Sequence, residues 1–447
     1  MEAQGQAAPR VDQSTMRRAL AACAIGNATE WFDYTTYGFL AIILGSVFFP
    51  SEDPTVSLLS SFAVFGAAFV VRPLGGLFFG PLGDKVGRQR ILAITILLMA
   101  GATFAAGLLP GYDTIGIWAP ILLVFLRLLQ GFSAGGEYGG ASTFMAEYAP
   151  DDRRGFWTSW LEFGSLTGYF MGAGLVTLLT LVFSDAAMSS WGWRVPFLVA
   201  GPLGVIGLYL RLKLQDTPVF TALEEAGEVE EAPLRDTFTY AWRPMLLLAG
   251  ISMITNVGNY ILLTYMVNYL QNNLDVGSTT ALLVTFIAII AMMAVIWRVG
   301  SLSDRFGRKT TLTAGSVGFI VLSYPAFWFI SLGNWPTTLL GMLLLALCLV
   351  LILGTIPSTL PALFPTEVRY SGFAISYNIS VALFGGTAPY VATYLVSATG
   401  SNYAPAFYLM GIALVALIPI LLSPETAKQP LRSGLQTSME TPREAST

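Results

Sequence analysis

The residues best placed to do chemistry in this chain are ionisable groups embedded in long apolar stretches. Asn27, Glu30, Tyr34 and Tyr37 recur at i, i+3, i+7 and i+10, so on a helix they share one face, and Asp33 borders that stripe. A second apolar stretch carries Arg127, Gln130 and Glu137. A carboxyl group held there responds to two opposed effects: desolvation favours its neutral form, and a nearby guanidinium favours its charged form. Moving the arginine closer or further would then release or load a proton, which marks Glu30, Asp33, Arg127 and Glu137 as candidates for proton coupling. The same four residues also read as a structural ion-pair cluster, an expensive thing to keep in an apolar environment.

Other polar groups lie in similar settings. Glu162, in Trp157-Thr-Ser-Trp160-Leu-Glu162, is read either as a contact for a cationic ligand or as a partner for an arginine near the helix entry. Trp31, Tyr34, Trp157, Trp160, Tyr260, Tyr265 and Tyr377 could furnish part of an aromatic box for a quaternary ammonium, whose charge is attracted to ring faces. Taken one at a time, each aromatic also reads as packing or as an interface anchor. Trp31, Tyr34, Tyr37, Arg127, Gln130, Tyr138, Glu162, Asn256, Asn259, Tyr260 and Tyr377 form the candidate substrate-binding set. Arg72, beside Pro73, is read equally as structural or functional.

The chain's composition says what must hold these groups. Of 447 residues, 54% are hydrophobic and 11% charged, far from the quarter or so of charged residues usual in soluble domains. Apolar runs of about 20 residues match a hydrocarbon core about 30 Å thick and must be helical, because unpaired backbone groups are too costly in lipid. Twelve are expected, near 19–49, 56–81, 91–110, 115–148, 155–183, 193–212, 244–271, 278–301, 311–333, 335–361, 371–398 and 404–423. Counting the helical rise from one membrane face puts Asp33 roughly 21 Å deep, Glu137 roughly 17 Å, and Asn256 and Asn259 roughly 18 and 23 Å, all near mid-membrane. Arg127 lies closer to the opposite face. The first run is too long for the apolar region of a cleaved signal and is expected to remain in the mature protein.

Histidine is absent, which removes histidine-based zinc sites, Ser-His-Asp triads and histidine proton relays. Cys23 and Cys348 both fall within spans and read as packing residues. No metal site, cofactor or enzymatic centre is expected, and a net charge of −4 without a basic domain argues against nucleic acid as a partner.

Lys and Arg occupy every second connection, from Arg17 and Arg18 through Lys85, Arg88, Arg153, Arg154, Arg305, Arg308 and Arg369 to Lys428, so both termini are expected to be cytoplasmic. The stretch Gly80-Pro-Leu-Gly-Asp84-Lys-Val-Gly87-Arg88 returns as Gly300-Ser-Leu-Ser-Asp304-Arg-Phe-Gly307-Arg308, and Asp151 to Phe156 is echoed by Glu367 to Phe373. Two echoes at nearly one offset indicate duplicated halves. The expected organisation is a tail over 1–18, a six-helix bundle over 19–212, an acidic linker over 213–243, a second bundle over 244–423 and a tail over 424–447. Asp84, Arg88, Asp304 and Arg308 read as gate elements, since glycines allow close approach and the charges can bind helix ends in one state only. Gly131, Gly135, Gly136, Gly139 and Gly140 would let the fourth span approach its neighbours closely.

The doubled Gly-x-Leu-x-Asp-x-x-Gly-Arg loop resembles the signature of the major facilitator superfamily. Within it, Gly26-Asn-Ala-Thr-Glu30-Trp-Phe-Asp33, Arg72-Pro-Leu-Gly-Gly76, Gln130-Gly-Phe-Ser-Ala-Gly-Gly-Glu137-Tyr138 and Trp191-Gly-Trp-Arg194-Val-Pro196 resemble the metabolite–proton symporters, above all the bacterial proline/glycine-betaine proton symporters. The likeness runs from about Gly26 to about Glu425. It implies an all-α membrane protein of twelve helices in two pseudo-symmetric bundles, with spans one, four, seven and ten lining a central cavity. It further implies proton-coupled import of a zwitterionic compatible solute across a bacterial cytoplasmic membrane, carried out by a monomer. The chain departs from the pattern twice: the stretch after Pro424 is short, polar and free of heptads, so regulation by a heptad-patterned extension is not expected, and position 127 is Arg where the osmolyte carriers have Lys. The arginine keeps an organic-acid substrate such as α-ketoglutarate or citrate as the alternative, which the acidic Glu162 opposes.

Overall fold

The computed structural model describes residues 13–86, 88–212, 238–239, 241–364 and 369–431. The acidic linker falls almost wholly outside them, as do the outermost parts of both expected tails.

Among the described residues the chain forms twelve helical spans because its apolar runs are long, poor in interior charge and punctuated by Gly, Pro and Asn. They are α1 (Gln13–Phe39, resuming at Ala41–Phe48), α2 (Pro54–Val86), α3 (Arg88–Leu108), α4 (Trp118–Ala134, resuming at Glu137–Tyr148), α5 (Arg154–Val182) and α6 (Arg194–Leu212). The second half comprises α7 (Trp242–Tyr260, continuing through Ile261–Tyr265 to Met266–Leu274), α8 (Ser278–Phe306), α9 (Arg308–Ser331), α10 (Trp335–Leu353, then Ile356–Thr359), α11 (Arg369–Ser380, then Val381–Gly385 and Ala388–Thr399) and α12 (Ala404–Leu422). Among the described residues, nine helices are each long and apolar enough to cross a membrane, and a tenth span is bent by 47° just before α6. The structure adds breaks that a count of apolar residues does not reveal. The helix of α4 is interrupted at Gly135 and Gly136, and α7 and α11 each contain one wide turn, at Ile261–Tyr265 and Val381–Gly385. Such turns are frequent where helices carry functional side chains.

Within the first half α1 packs on α5, α2 on α4 and α3 on α6; within the second, α9 packs on α10 and α12, and α7 on α11 and α12. The halves meet along α5 with α8 and α2 with α11. They touch at both ends of the molecule. At one end Asn268 donates to the Gly38 carbonyl at 2.9 Å; at the other Ser142 donates to the Pro357 carbonyl at 3.3 Å, and Arg369 pairs with Glu147 at 2.8 Å.

Glycine sets these spacings. A β-carbon at Gly131 would sit 1.7 Å from the Ala68 carbonyl oxygen, one at Gly75 would sit 1.8 Å from that of Phe132, and one at Gly300 would sit 2.4 Å from that of Gly155. Helix α4 therefore lies backbone to backbone on α2, as small residues permit. Gly139 meets Phe373 and Ala374 of the opposite half. Gly307, with φ of +101°, ends α8 in a conformation that side chains resist, and its counterpart in the first repeat, Gly87, lies outside the described residues.

Gly131→Val should therefore lower the detergent-solubilised protein's stability by about 1–3 kcal/mol or more. Gly101→Ala is the control, since nothing lies within 4 Å of its added carbon. It should be neutral or mildly stabilising in a thermal unfolding assay. Equal melting temperatures for the two variants would refute backbone contact as the reason for glycine at position 131.

Candidate functional site

Glu30 and Asp33 stand three residues apart on α1, so their side chains diverge by about 60° around the helix. That divergence divides the expected cluster in two. Asp33 pairs with Arg127 of α4 at 3.0 Å; Glu30 pairs with Arg72 of α2 at 2.8 Å. The expectation that both carboxylates would share Arg127 is thus corrected, and Arg72 is the guanidinium that it lacked. Glu137 is buried in the first helical turn after the break in α4.

The Asp33–Arg127 pair is enclosed within the first half. Asp33 also accepts hydrogen bonds from Thr103 at 2.8 Å and Gln130 at 3.0 Å, while Arg127 donates to Gln130 at 2.8 Å. The Arg127 guanidinium lies 4.4 Å from the ring centre of Tyr37, whose hydroxyl donates to the Ser61 carbonyl at 3.1 Å. Gln130 and Tyr37, expected among the substrate contacts, therefore serve this ion pair.

The Glu30–Arg72 pair reaches the other half. Arg72 donates to Tyr34 at 3.3 Å and to Asn378 of α11 at 3.2 Å, and Asn378 donates in turn to the Gly135 carbonyl at the break in α4. Both arginines are buried and hydrogen-bonded, the condition under which charge is tolerable in a bundle core.

Next to this pair stands a group of aromatic rings drawn from both halves. Trp31 lies 5.1 Å from Tyr169 in a stacked arrangement and 5.8 Å from both Tyr34 and Tyr260. Tyr260 also packs on Phe69 at 5.2 Å and Phe65 at 5.8 Å. Tyr138 and Tyr377, from α4 and α11, stack at 4.5 Å. The Tyr138 hydroxyl donates to Glu162 at 2.5 Å, so among the described residues Glu162 is held by a phenol and not by an arginine. Of the expected aromatic set, Trp160 and Tyr265 pack elsewhere, against Phe163 and Tyr269. Asn259 donates to the Tyr169 hydroxyl at 3.0 Å and so joins α7 to α5, whereas Asn256 donates to Ser380 at 3.3 Å within the second half.

Sequence reasoning missed Tyr169, Thr103 and Asn378. Tyr169 stands seven residues after Glu162, on the same face of α5, and that spacing could have revealed it. Thr103 is one hydroxyl in an apolar helix, and Asn378 gains its meaning only when α11 meets α2, so neither carries a local signal.

At the end of the molecule bearing the α8–α9 loop, the Asp304 carboxylate accepts from the backbone N–H groups of Gly155 and Phe156 at 2.8 and 2.9 Å. It caps α5 of the opposite half, where a carboxylate is favoured by the exposed N–H groups and the helix dipole. Arg308 stays within its own half, donating to the Ser358 carbonyl and to Thr426, both at 2.9 Å. The side chains of Asp84 and Arg88 lie outside the described residues. Sequence reasoning also treated Arg154 as a loop charge marking topology; it is buried, donating to the carbonyls of Ala146 and Gln429 at 3.0 Å and pairing with Asp151.

The family model described as Major Facilitator Superfamily matches residues 24–386 and 299–444. The chain belongs to the Major Facilitator Superfamily. Among curated relatives it is 47% identical over 433 residues to a glycine betaine/proline/ectoine/pipecolic acid transporter of Dickeya dadantii, covering 95% of this chain and 86% of that protein. It is equally similar, at 47% over 433 residues with the same coverage, to a proline/betaine transporter of Escherichia coli. An ectoine/proline transporter of Corynebacterium glutamicum is 39% identical over 449 residues, covering 97% of this chain and 89% of the other. Among solved structures, a proton:xylose symporter superposes with a TM-score of 0.76 at 16% identity, covering 96% of this chain and all of that one, a likeness of fold. The relatives are transporters, and this superfamily member is a multi-pass membrane transporter and not an enzyme.

The pairing within the site is open to a direct test. Glu30→Gln or Arg72→Gln alone should cost about 3–5 kcal/mol by stranding a buried charge, while the double variant should recover much of that loss. Combining Arg72→Gln with Asp33→Asn should give no such recovery. Thermal unfolding of the four purified variants supplies the comparison, and rescue in the Asp33 combination would contradict the observed division.

Proposed function

We propose that this chain imports a zwitterionic compatible solute, such as glycine betaine or proline, together with a proton, by alternating access in a bacterial cytoplasmic membrane. The observation that carries the reading is the meeting of both halves around one acidic, ring-lined site: Glu162 with Tyr138 and Tyr377, beside Trp31, Tyr34, Tyr169 and Tyr260. Rings and a carboxylate suit an ammonium group. The names of relatives at 47% identity support the same substrate class. An organic-acid substrate would need a free guanidinium, and Arg127 is already engaged by Asp33, Gln130 and the face of Tyr37. Arg127, expected in the substrate-binding set, is therefore assigned to the ion pair with Asp33.

In this reading Asp33 carries the proton. Its neutralisation would loosen Arg127 from α1 and so link protonation to helix position. Glu30 and Glu137 are the neighbouring carboxylates that share the coupling. The face bearing the α8–α9 loop is read as cytoplasmic, with Asp304 on α5, and Asp84, Arg88 and Arg308 with it, as the gate that must release for inward opening; both termini are assigned to the same side. A monomer contains every element required.

Labelled betaine should enter proteoliposomes in response to an inward proton gradient and acidify the lumen. Asp33→Asn should abolish gradient-driven accumulation while leaving betaine counterflow intact. Uptake that withstands a protonophore and follows an imposed sodium gradient would exclude proton coupling.

Glu162→Gln should weaken equilibrium binding of betaine and proline by roughly ten- to a hundredfold, as expected for the loss of a charge-assisted contact of about 1–3 kcal/mol. The wild type should ignore α-ketoglutarate as a competitor. Tight α-ketoglutarate binding with betaine silent would favour the organic-acid alternative.

A further inference from the structure

Among the rings that touch Trp31, the hydroxyls of Tyr34 and Tyr169 have partners, in Arg72 and Asn259. The indole N–H of Trp31 and the hydroxyl of Tyr260 have none, although Trp31 is 6% exposed and Tyr260 fully buried. A buried donor without an acceptor is costly, and evolution seldom leaves two side by side without a use for them. The ring centres of these two residues are 5.8 Å apart. Trp31 belongs to α1 and Tyr260 to α7, so one acceptor group taking both would bridge the halves. The Tyr260 ring is fixed from behind, since a β-carbon on Gly385 of α11 would fall 2.7 Å from it.

Resting on the transport reading above, we propose that the carboxylate of the zwitterionic solute is received by the Trp31 indole N–H and the Tyr260 hydroxyl. Neither donor is charged. That choice matches a ligand whose negative charge is already balanced within the molecule, with its ammonium directed to the rings and toward Glu162. A dianion receives no compensating cation here, because Arg72 and Arg127 are each tied to a carboxylate of α1. Arg127 also has two guanidinium nitrogens without hydrogen-bond partners, but it lies over the rings of Tyr37, Phe65 and Tyr34, inside the first half. It does not offer a contact that both halves share.

The test removes each donor and keeps its ring. Purified wild type, Trp31→Phe and Tyr260→Phe are compared by equilibrium binding of betaine and of proline, with thermal unfolding to verify the fold. Each variant should bind both solutes about tenfold more weakly, the loss expected for one hydrogen bond to a charged acceptor. Wild-type affinity in both variants overturns the donor assignment and leaves the transport reading standing. Failure of the wild type to bind either solute overturns the transport reading itself. An independent measurement needs no variant: in 15N-tryptophan-labelled wild-type protein, one indole N–H signal should move downfield on saturation with betaine. If none of the ten tryptophan indole signals moves, the assignment is wrong.

Discussion

A guanidinium cannot be left alone in the core of a membrane bundle, and the arrangement around α1 follows from that constraint. Arg72 and Arg127 are buried on α2 and α4, and each finds its counter-charge on α1, one at Glu30 and one at Asp33. Losing either carboxylate would strand a cation at a cost of about 3–5 kcal/mol, comparable to a large part of a domain's net stability. The glycines complete the condition. Because Gly75 and Gly131 let α2 and α4 touch backbone to backbone, both arginines come close enough to reach the same helix.

The halves are joined by contacts of another kind. Polar links cross between them at Asp304 on α5, Arg369 with Glu147, Asn268 with Gly38, Ser142 with Pro357, Asn259 with Tyr169, and Asn378 with Arg72 and Gly135. Several can break without stranding a charge: Asn268, Gly38, Asn259 and Tyr169 are neutral, and the buried Arg369 keeps the Pro361 and Phe364 carbonyls of its own half while Glu147 is a quarter exposed. Cohesion within the first half therefore includes two buried ion pairs on α1, whereas most of the polar links between halves are hydrogen bonds of neutral groups. That difference is what rigid-body motion of two bundles requires.

Much of this was legible in the sequence. Span number, the duplicated loops, and the shared face of Asn27, Glu30, Tyr34 and Tyr37 follow from residue type and spacing, because lipid penalises every misplaced charge. Partner choice was not legible. Whether Glu30 meets Arg72 or Arg127 depends on how α1 is rotated against two neighbours, and no single-helix periodicity contains that angle. Tyr37 and Gln130 illustrate the same limit. Both lie on the expected faces, yet they support the Asp33–Arg127 pair, since a helix face near a bundle axis can turn toward a partner helix as readily as toward a ligand. Arg154 was misjudged because a charge at a predicted loop edge is ordinarily solvated, and only the folded chain brings the Ala146 and Gln429 carbonyls around it.

The two ion pairs differ in what they can sense, and the proposed coupling depends on the difference. Asp33 and Arg127 are enclosed by Thr103, Gln130 and Tyr37, all from the first half, so protonation there is reported to that half alone. Glu30 and Arg72 extend through Asn378 to α11 and, through Tyr34, to the ring of Trp31. A solute settling among those rings would act on the second pair, while a proton arriving at Asp33 would act on the first. Both signals then converge on one stretch of α1 less than a helical turn long. Such proximity makes a direct connection between them unnecessary: each need only bias the position of the same helix, and their free energies combine through that shared displacement.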